Sequence, residues 1–124
     1  NVKIVRALLE KGARVNDCNE LANTPLHVAT GNLDLEMVQI LLENGADVNV
    51  RNKKENTPLQ RAVNVTTHKA ANRQHPKIVR LLLERGADVS ARDWLLMTPL
   101  HQAAVRDDTE VVEILLSHGA DVDA

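Results

Sequence analysis

Among the residues able to do acid–base, nucleophilic or metal chemistry are five histidines, one cysteine and two serines. His27 and His101 each close the same phrase, Thr-Pro-Leu-His. A catalytic histidine needs a nucleophile or a substrate within hydrogen-bond reach, and the phrase supplies neither. A structural role is expected for both rings. Cys18 has no cysteine or histidine at metal-ligand spacing, the nearest being His27, so an inert thiol is expected. Ser90 and Ser117 lie in no nucleophile-elbow context. His68 and His75 are read as part of an inserted stretch; they have no carboxylate between them and fall short of the three or four ligands zinc takes. There is no Gly-rich phosphate loop, and the five glycines read as caps and turns. These residues predict no enzyme, no metal, no cofactor and no small-molecule substrate.

The elements around them repeat. Thr24-Pro25-Leu26-His27 returns as Thr57-Pro58-Leu59-Gln60 and as Thr98-Pro99-Leu100-His101. A second phrase, Gly-Ala-x-Val, begins at Gly12, Gly45, Gly86 and Gly119, spaced 33, 41 and 33 residues apart. A period of 33 interrupted once by 8 extra residues fixes the architecture before any single residue does. Each Thr is placed to cap a helix N-terminus, and each Pro fits the first helical position, where no N–H donor is needed. Leu26, Val28 and Ala29 predict a short helix; Leu35, Val38, Leu41 and Leu42 predict a second, stopped by Gly45 in a left-handed conformation. Ile4, Val5, Leu8 and Leu9 predict another helix ending at Gly12, with its outer apolar face bare. Val111, Val112, Leu115 and Leu116 predict the last, with no clearly polar capping helix after it.

These paired, in-phase motifs closely resemble the ankyrin repeat family, over nearly the whole chain. The resemblance implies an all-α repeat solenoid of helix-turn-helix pairs joined by β-hairpin-like loops. The expected organisation is a single domain, 1–124. Residues 1–16 hold the second helix of a partial repeat; 17–49 are a repeat; 50–90 are a repeat with an insertion near 66–73; 91–124 are a repeat. The insertion is expected between two helices, since loops absorb added length at low entropic cost. The resemblance also implies that the Thr hydroxyls and His rings tie neighbouring turns together. Thr24, Pro25, His27, Thr57, Pro58, Thr98, Pro99, His101 and the four glycines thus form the structural repeat motif. Gln60 replaces the His of that pattern, so part of its hydrogen-bond network is at stake there.

Composition bounds the rest. Phe and Tyr are absent and there is one Trp, so the core is expected to be aliphatic. The net charge of −2 argues against general nucleic-acid affinity. A lone cysteine favours a reducing compartment, and an intracellular location, cytoplasmic or nuclear, is expected. The first residues do not look like a signal peptide, and no apolar run is long enough to span a membrane. Charge is patterned: Arg61, Lys69, Arg73, Lys77 and Arg80 give +5 with no acid between Asn56 and Leu83. Asp107, Asp108, Glu110, Glu113, Asp121 and Asp123 give −6 with no Lys or Arg. The basic stretch has no aromatic for base stacking, which disfavours nucleic acid.

One stretch breaks the polar pattern of the turns. Glu20-Leu21-Ala22-Asn23 and Lys53-Lys54-Glu55-Asn56 correspond to Trp94-Leu95-Leu96-Met97, which is wholly apolar. Consecutive apolar residues at an expected exposed turn mark an interface, and Trp is enriched at binding hot spots. Trp94, Leu95, Leu96, Met97, Leu21, Lys53 and Lys54 are therefore the expected partner-binding residues. The expected function is non-catalytic protein binding through hairpin tips and the adjoining first-helix surface. The alternative is a self-associating structural module, a natural or engineered homo-oligomer joined through residues 94–97.

Overall fold

A computed structural model describes residues 2–64 and 74–121. The insertion expected near 66–73, with His68, Lys69 and Arg73, lies outside the described residues, as does Asp123. The described residues form seven helices in order: α1 (Val2–Glu10), α2 (Pro25–Gly31), α3 (Leu35–Glu43), α4 (Pro58–Val63), α5 (Gln74–Glu84), α6 (Pro99–Val105) and α7 (Thr109–Ser117). No strand occurs among the described residues.

The repeated phrase builds α2, α4 and α6 in one way. Thr24, Thr57 and Thr98 are the N-caps, each extended, and Pro follows at the start of the helix. Each Thr hydroxyl accepts the N–H of the third helical residue, at 3.4, 3.3 and 3.3 Å. The side chain of that third residue, His27, Gln60 or His101, accepts the Thr N–H in return, at 3.0, 3.0 and 3.1 Å. This reciprocal cap satisfies two otherwise orphaned donors and lets very short helices persist. The longer α3 and α7 are capped instead by Asp34 and Asp108, which accept from the N–H of Met37 and Val111. Their acidic caps also complement the positive end of the helix dipole. Gly45 and Gly119 close these two helices at φ 88° and 93°, a region that a Cβ makes costly.

The helices stack in two layers. The short helices α2, α4 and α6 form one row, and α1, α3, α5 and α7 form the other. Leu26, Leu41, Leu59, Ile78, Leu82 and Leu115 are fully buried between them. The core is aliphatic, as composition requires. At the N-terminal end, Ile4 and Leu8 of α1 are exposed, as expected of a face with no neighbour. Val28 is also half exposed and lines an apolar hollow of about 430 Å³ with Leu8 and Met37, rather than joining the core.

Two sequence expectations need correcting. Gly31 is neither a cap nor a turn: it is the last helical residue of α2, and a Cβ there would come within 2.5 Å of Arg61 Nη2. Its smallness makes room for that guanidinium. His75 belongs not to the insertion but to the first turn of α5, where it is buried with Nδ1 3.6 Å from Asp108 Oδ2. No cluster of metal-ligating side chains occurs among the described residues.

Candidate functional site

The turns that precede the short helices are built by side chains at their first residue. Asn19, Asn52 and Asp93 each turn Oδ1 onto two backbone N–H groups of the same turn, at 2.9 to 3.1 Å. The backbone closes each turn from Asn19 to Asn23, Asn52 to Asn56 and Asp93 to Met97. The residue before each closure, Ala22, Glu55 or Leu96, is left-handed, with φ of 61°, 61° and 63°. Successive turns are then stitched together. Lys53 N–H donates to the Leu21 carbonyl at 3.0 Å, and Trp94 N–H donates to the Lys54 carbonyl at 3.1 Å. The expected hairpin-like loops are thus a row of tight turns held by backbone bonds.

Side chains from the short helices tie this row down. His27 Nε2 lies 2.9 Å from the Asn56 carbonyl in the following turn. Because Nδ1 accepts the Thr24 N–H, the neutral ring carries its proton on Nε2 and donates it to Asn56. Burial pushes the His27 pKa down; the bond to Asn56 opposes that shift, and nearby Arg61 reinforces it. Both ring nitrogens are engaged and the residue is fully buried, so the ring performs a structural task. Gln60 preserves the network the sequence had put at stake. Its Oε1 takes the Thr57 N–H, and its Nε2 donates to the carbonyls of Ala91 and Met97 at 2.9 and 3.1 Å. The amide does the work of the ring because it offers an acceptor and a donor at its two ends.

Between the row of turns and the short helices runs a groove of about 660 Å³. The turns contribute Leu21, Lys53, Lys54, Trp94, Leu95 and Met97 to its walls. Six of the seven residues expected from sequence to face a partner therefore line one surface. Leu96 does not: its left-handed backbone places it outside the groove lining, at 67% exposure. Met97 is half-buried, so the exposed apolar tip is Trp94, Leu95 and Leu96. Trp94 and Leu95 are 62% and 63% exposed, an unusual amount of open apolar surface on so small a turn.

The opposite wall contains residues that sequence reasoning did not assign to a partner-binding surface. Arg61 in the last turn of α4, Asn64 at its C-cap, and Val105 and Arg106 at the end of α6 all line the groove. Helical periodicity held the signal. With Leu59, Ala62 and Val63 in the core, Arg61 must lie on the other side of α4. Val105 is 77% exposed at the matching end of α6. Arg106 Nε donates to Asn64 Oδ1 at 2.8 Å, which links the two C-caps across the groove wall.

A two-layer helical solenoid with an open groove, walled by stitched turns, defines a class of repeat scaffold. A family model described as ankyrin repeats in three copies matches residues 1–67 and 64–124. The chain belongs to the ankyrin repeat family, whose repeats are generally protein–protein interaction modules. A comparison with curated proteins found no match.

Proposed function

We propose that this chain is a non-catalytic protein-binding scaffold that holds a segment of another protein in the groove between the turns and the short helices. Trp94 is the anchor, and Leu21, Lys53, Lys54, Leu95 and Met97 contribute contact surface. The observation that carries this reading is the open Trp94–Leu95 pair on a turn whose backbone N–H groups are all engaged. A rigid aromatic presented beside a groove loses little conformational entropy on binding, which is what makes a hot spot. Cys18, exposed and unpaired with any other cysteine, suits a reducing intracellular setting. No helix among the described residues is long and apolar enough to cross a membrane.

A random-peptide display library selected on this chain tests the reading. Selected peptides should bind at least ~10-fold more weakly to Trp94→Asp than to the unaltered chain, equivalent to 1.4 kcal/mol. They should ignore Leu8→Ser in the N-terminal hollow. Selected peptides that bind Trp94→Asp undiminished would overturn it.

The same exposed tip supports a second reading, contact between two copies of the chain through Trp94, Leu95 and Leu96. Sedimentation at tens of micromolar decides it. A mass above that of one chain, returned to one chain by Trp94→Asp and Leu96→Asp with helical circular dichroism retained, is the outcome this second reading requires.

A further inference from the structure

The side chains around the groove also specify the chemistry of what it holds, provided the groove is the binding face. Four cations line it: Lys53 and Lys54 on the turn side, Arg61 and Arg106 on the helix side. Among the described residues, none of the four lies within ion-pair distance of a carboxylate. The only acid in the lining is Asp93, which is buried and turned inward. Its Oδ1 accepts the N–H groups of Leu95 and Met97, and its Oδ2 accepts Gln102 Nε2 at 3.1 Å. The cations therefore face the groove uncompensated, although the whole chain is net negative.

One of the two arginines is also hydrogen-bonded in place. Arg61 lies over Gly31, where any larger residue would displace it, and Arg106 is fixed through Asn64. Leu21, Trp94, Leu95 and Val105 supply an apolar surface on the same groove. A nucleic acid fits this poorly. Single strands are held by stacking on several aromatic faces, and Trp94 is the only aromatic ring of the Phe, Tyr or Trp type in the chain.

We propose that the groove takes an acidic segment of another protein, which seats a large apolar side chain against Trp94, Leu95 and Val105 and sets carboxylates opposite Lys53, Lys54, Arg61 and Arg106. Complementary potentials of this kind guide encounter and reject partners of the wrong sign.

Because Trp94 is the sole tryptophan, its emission reports occupancy of the groove directly. The probe is a Trp-free synthetic peptide with a leucine pair flanked by glutamates, titrated into the intact chain. A saturable blue shift that weakens with added salt is expected. A lysine-flanked peptide should give none. The double variant Arg61→Glu and Arg106→Glu should bind the acidic peptide at least ~10-fold more weakly. Lys53→Glu with Lys54→Glu, both exposed, repeats the test away from the core.

Equal binding of the lysine-flanked peptide, or no loss in both double variants, would overturn the acidic class. If an uncharged leucine peptide still shifts Trp94, the groove reading survives that failure. If no peptide moves Trp94 and library-selected binders ignore Trp94→Asp, the groove reading itself falls. Tighter binding of single-stranded oligothymidylate would make the occupant a nucleic acid. A blue shift of the chain alone on concentration would make it a second copy. Either result overturns the proposal.

Discussion

The side-chain amide of Gln60 lies 3.1 Å from the carbonyl oxygen of Met97, so α4 grips the base of the apolar turn directly. The same nitrogen holds the Ala91 carbonyl at 2.9 Å, and the other end of the amide receives the Thr57 N–H. Gln60→Leu leaves the buried Thr57 N–H and the Ala91 carbonyl unpartnered, and leaves the Met97 carbonyl only the Asp93 N–H. The expected loss is about 2–3 kcal/mol in urea unfolding. Gln60→His should cost less, about 1 kcal/mol, because His27 serves the same purpose at its own position with one donor. Unchanged stability in Gln60→Leu would show that the amide does not support the turn.

His27 makes stability depend on pH in a defined direction. Its pKa in the folded chain is below the ordinary value of 6.5, chiefly through burial. The unfolded chain therefore binds the proton more readily than the folded one. Its contribution is fully present above the unfolded pKa and is lost as pH falls from 6.5 toward the folded value. Thermal midpoints should drop over that range. His27→Gln, which imitates Gln60, should flatten this part of the profile. An unaltered slope in His27→Gln would assign the effect to another group.

Leu96 is strained where it stands. Its φ of 63° forces a γ-branched side chain into the left-handed region with little burial in return. Leu96→Gly should raise stability by about 1 kcal/mol, less any entropy gained by the unfolded chain. Peptide binding should be unchanged, since Leu96 does not line the groove. A loss of peptide affinity would place Leu96 in the contact.

Asp93 interrupts a side-chain pattern. In the preceding pair of turns, Asn52 Nδ2 donates to Asn23 Oδ1 at 2.9 Å. The matching acceptor one repeat on is Asn56 Oδ1, which is buried without a partner because Asp93 has no amide to offer. Gln102 Oε1 is similarly orphaned beside Asp93. Asp93→Asn supplies a donor and should raise stability by about 1 kcal/mol, as read from denaturant midpoints. A fall of similar size would mean that the charge-assisted bond from Gln102 outweighs the missing partner.

Gly31→Ala separates helix stability from the position of Arg61. Alanine favours a helix by about 1 kcal/mol over glycine, with part of that gain retained at the last turn of α2. The new Cβ would meet the end of a flexible side chain rather than backbone, so Arg61 should move aside. Thermal stability should hold or rise while affinity for an acidic peptide falls. Unchanged affinity would show that Arg61 need not rest over Gly31.

Much of the frame was legible in the sequence for a local reason. Thr-Pro at the start of each short helix, a glycine after each longer one and an aliphatic stripe along both act within one or two turns of chain, and their recurrence fixed the solenoid. The broken polarity of residues 94–97 likewise marked the turn that stands open. Contacts across repeats were not legible, because they join residues about 30 to 40 positions apart: His27 to Asn56, Gln60 to Met97, Arg106 to Asn64. The exchange of His for Gln at position 60 looked like a loss until the stacked turns placed two carbonyls before its amide. Leu96 and Met97 look equivalent to their neighbours as letters. Only the left-handed bend at Leu96 sends one side chain out of the groove lining and leaves the other half-buried within it. The sequence determined which elements form. Their stacking, through backbone bonds between successive turns, decided which side chains share a surface and that its cations stand without acids to balance them.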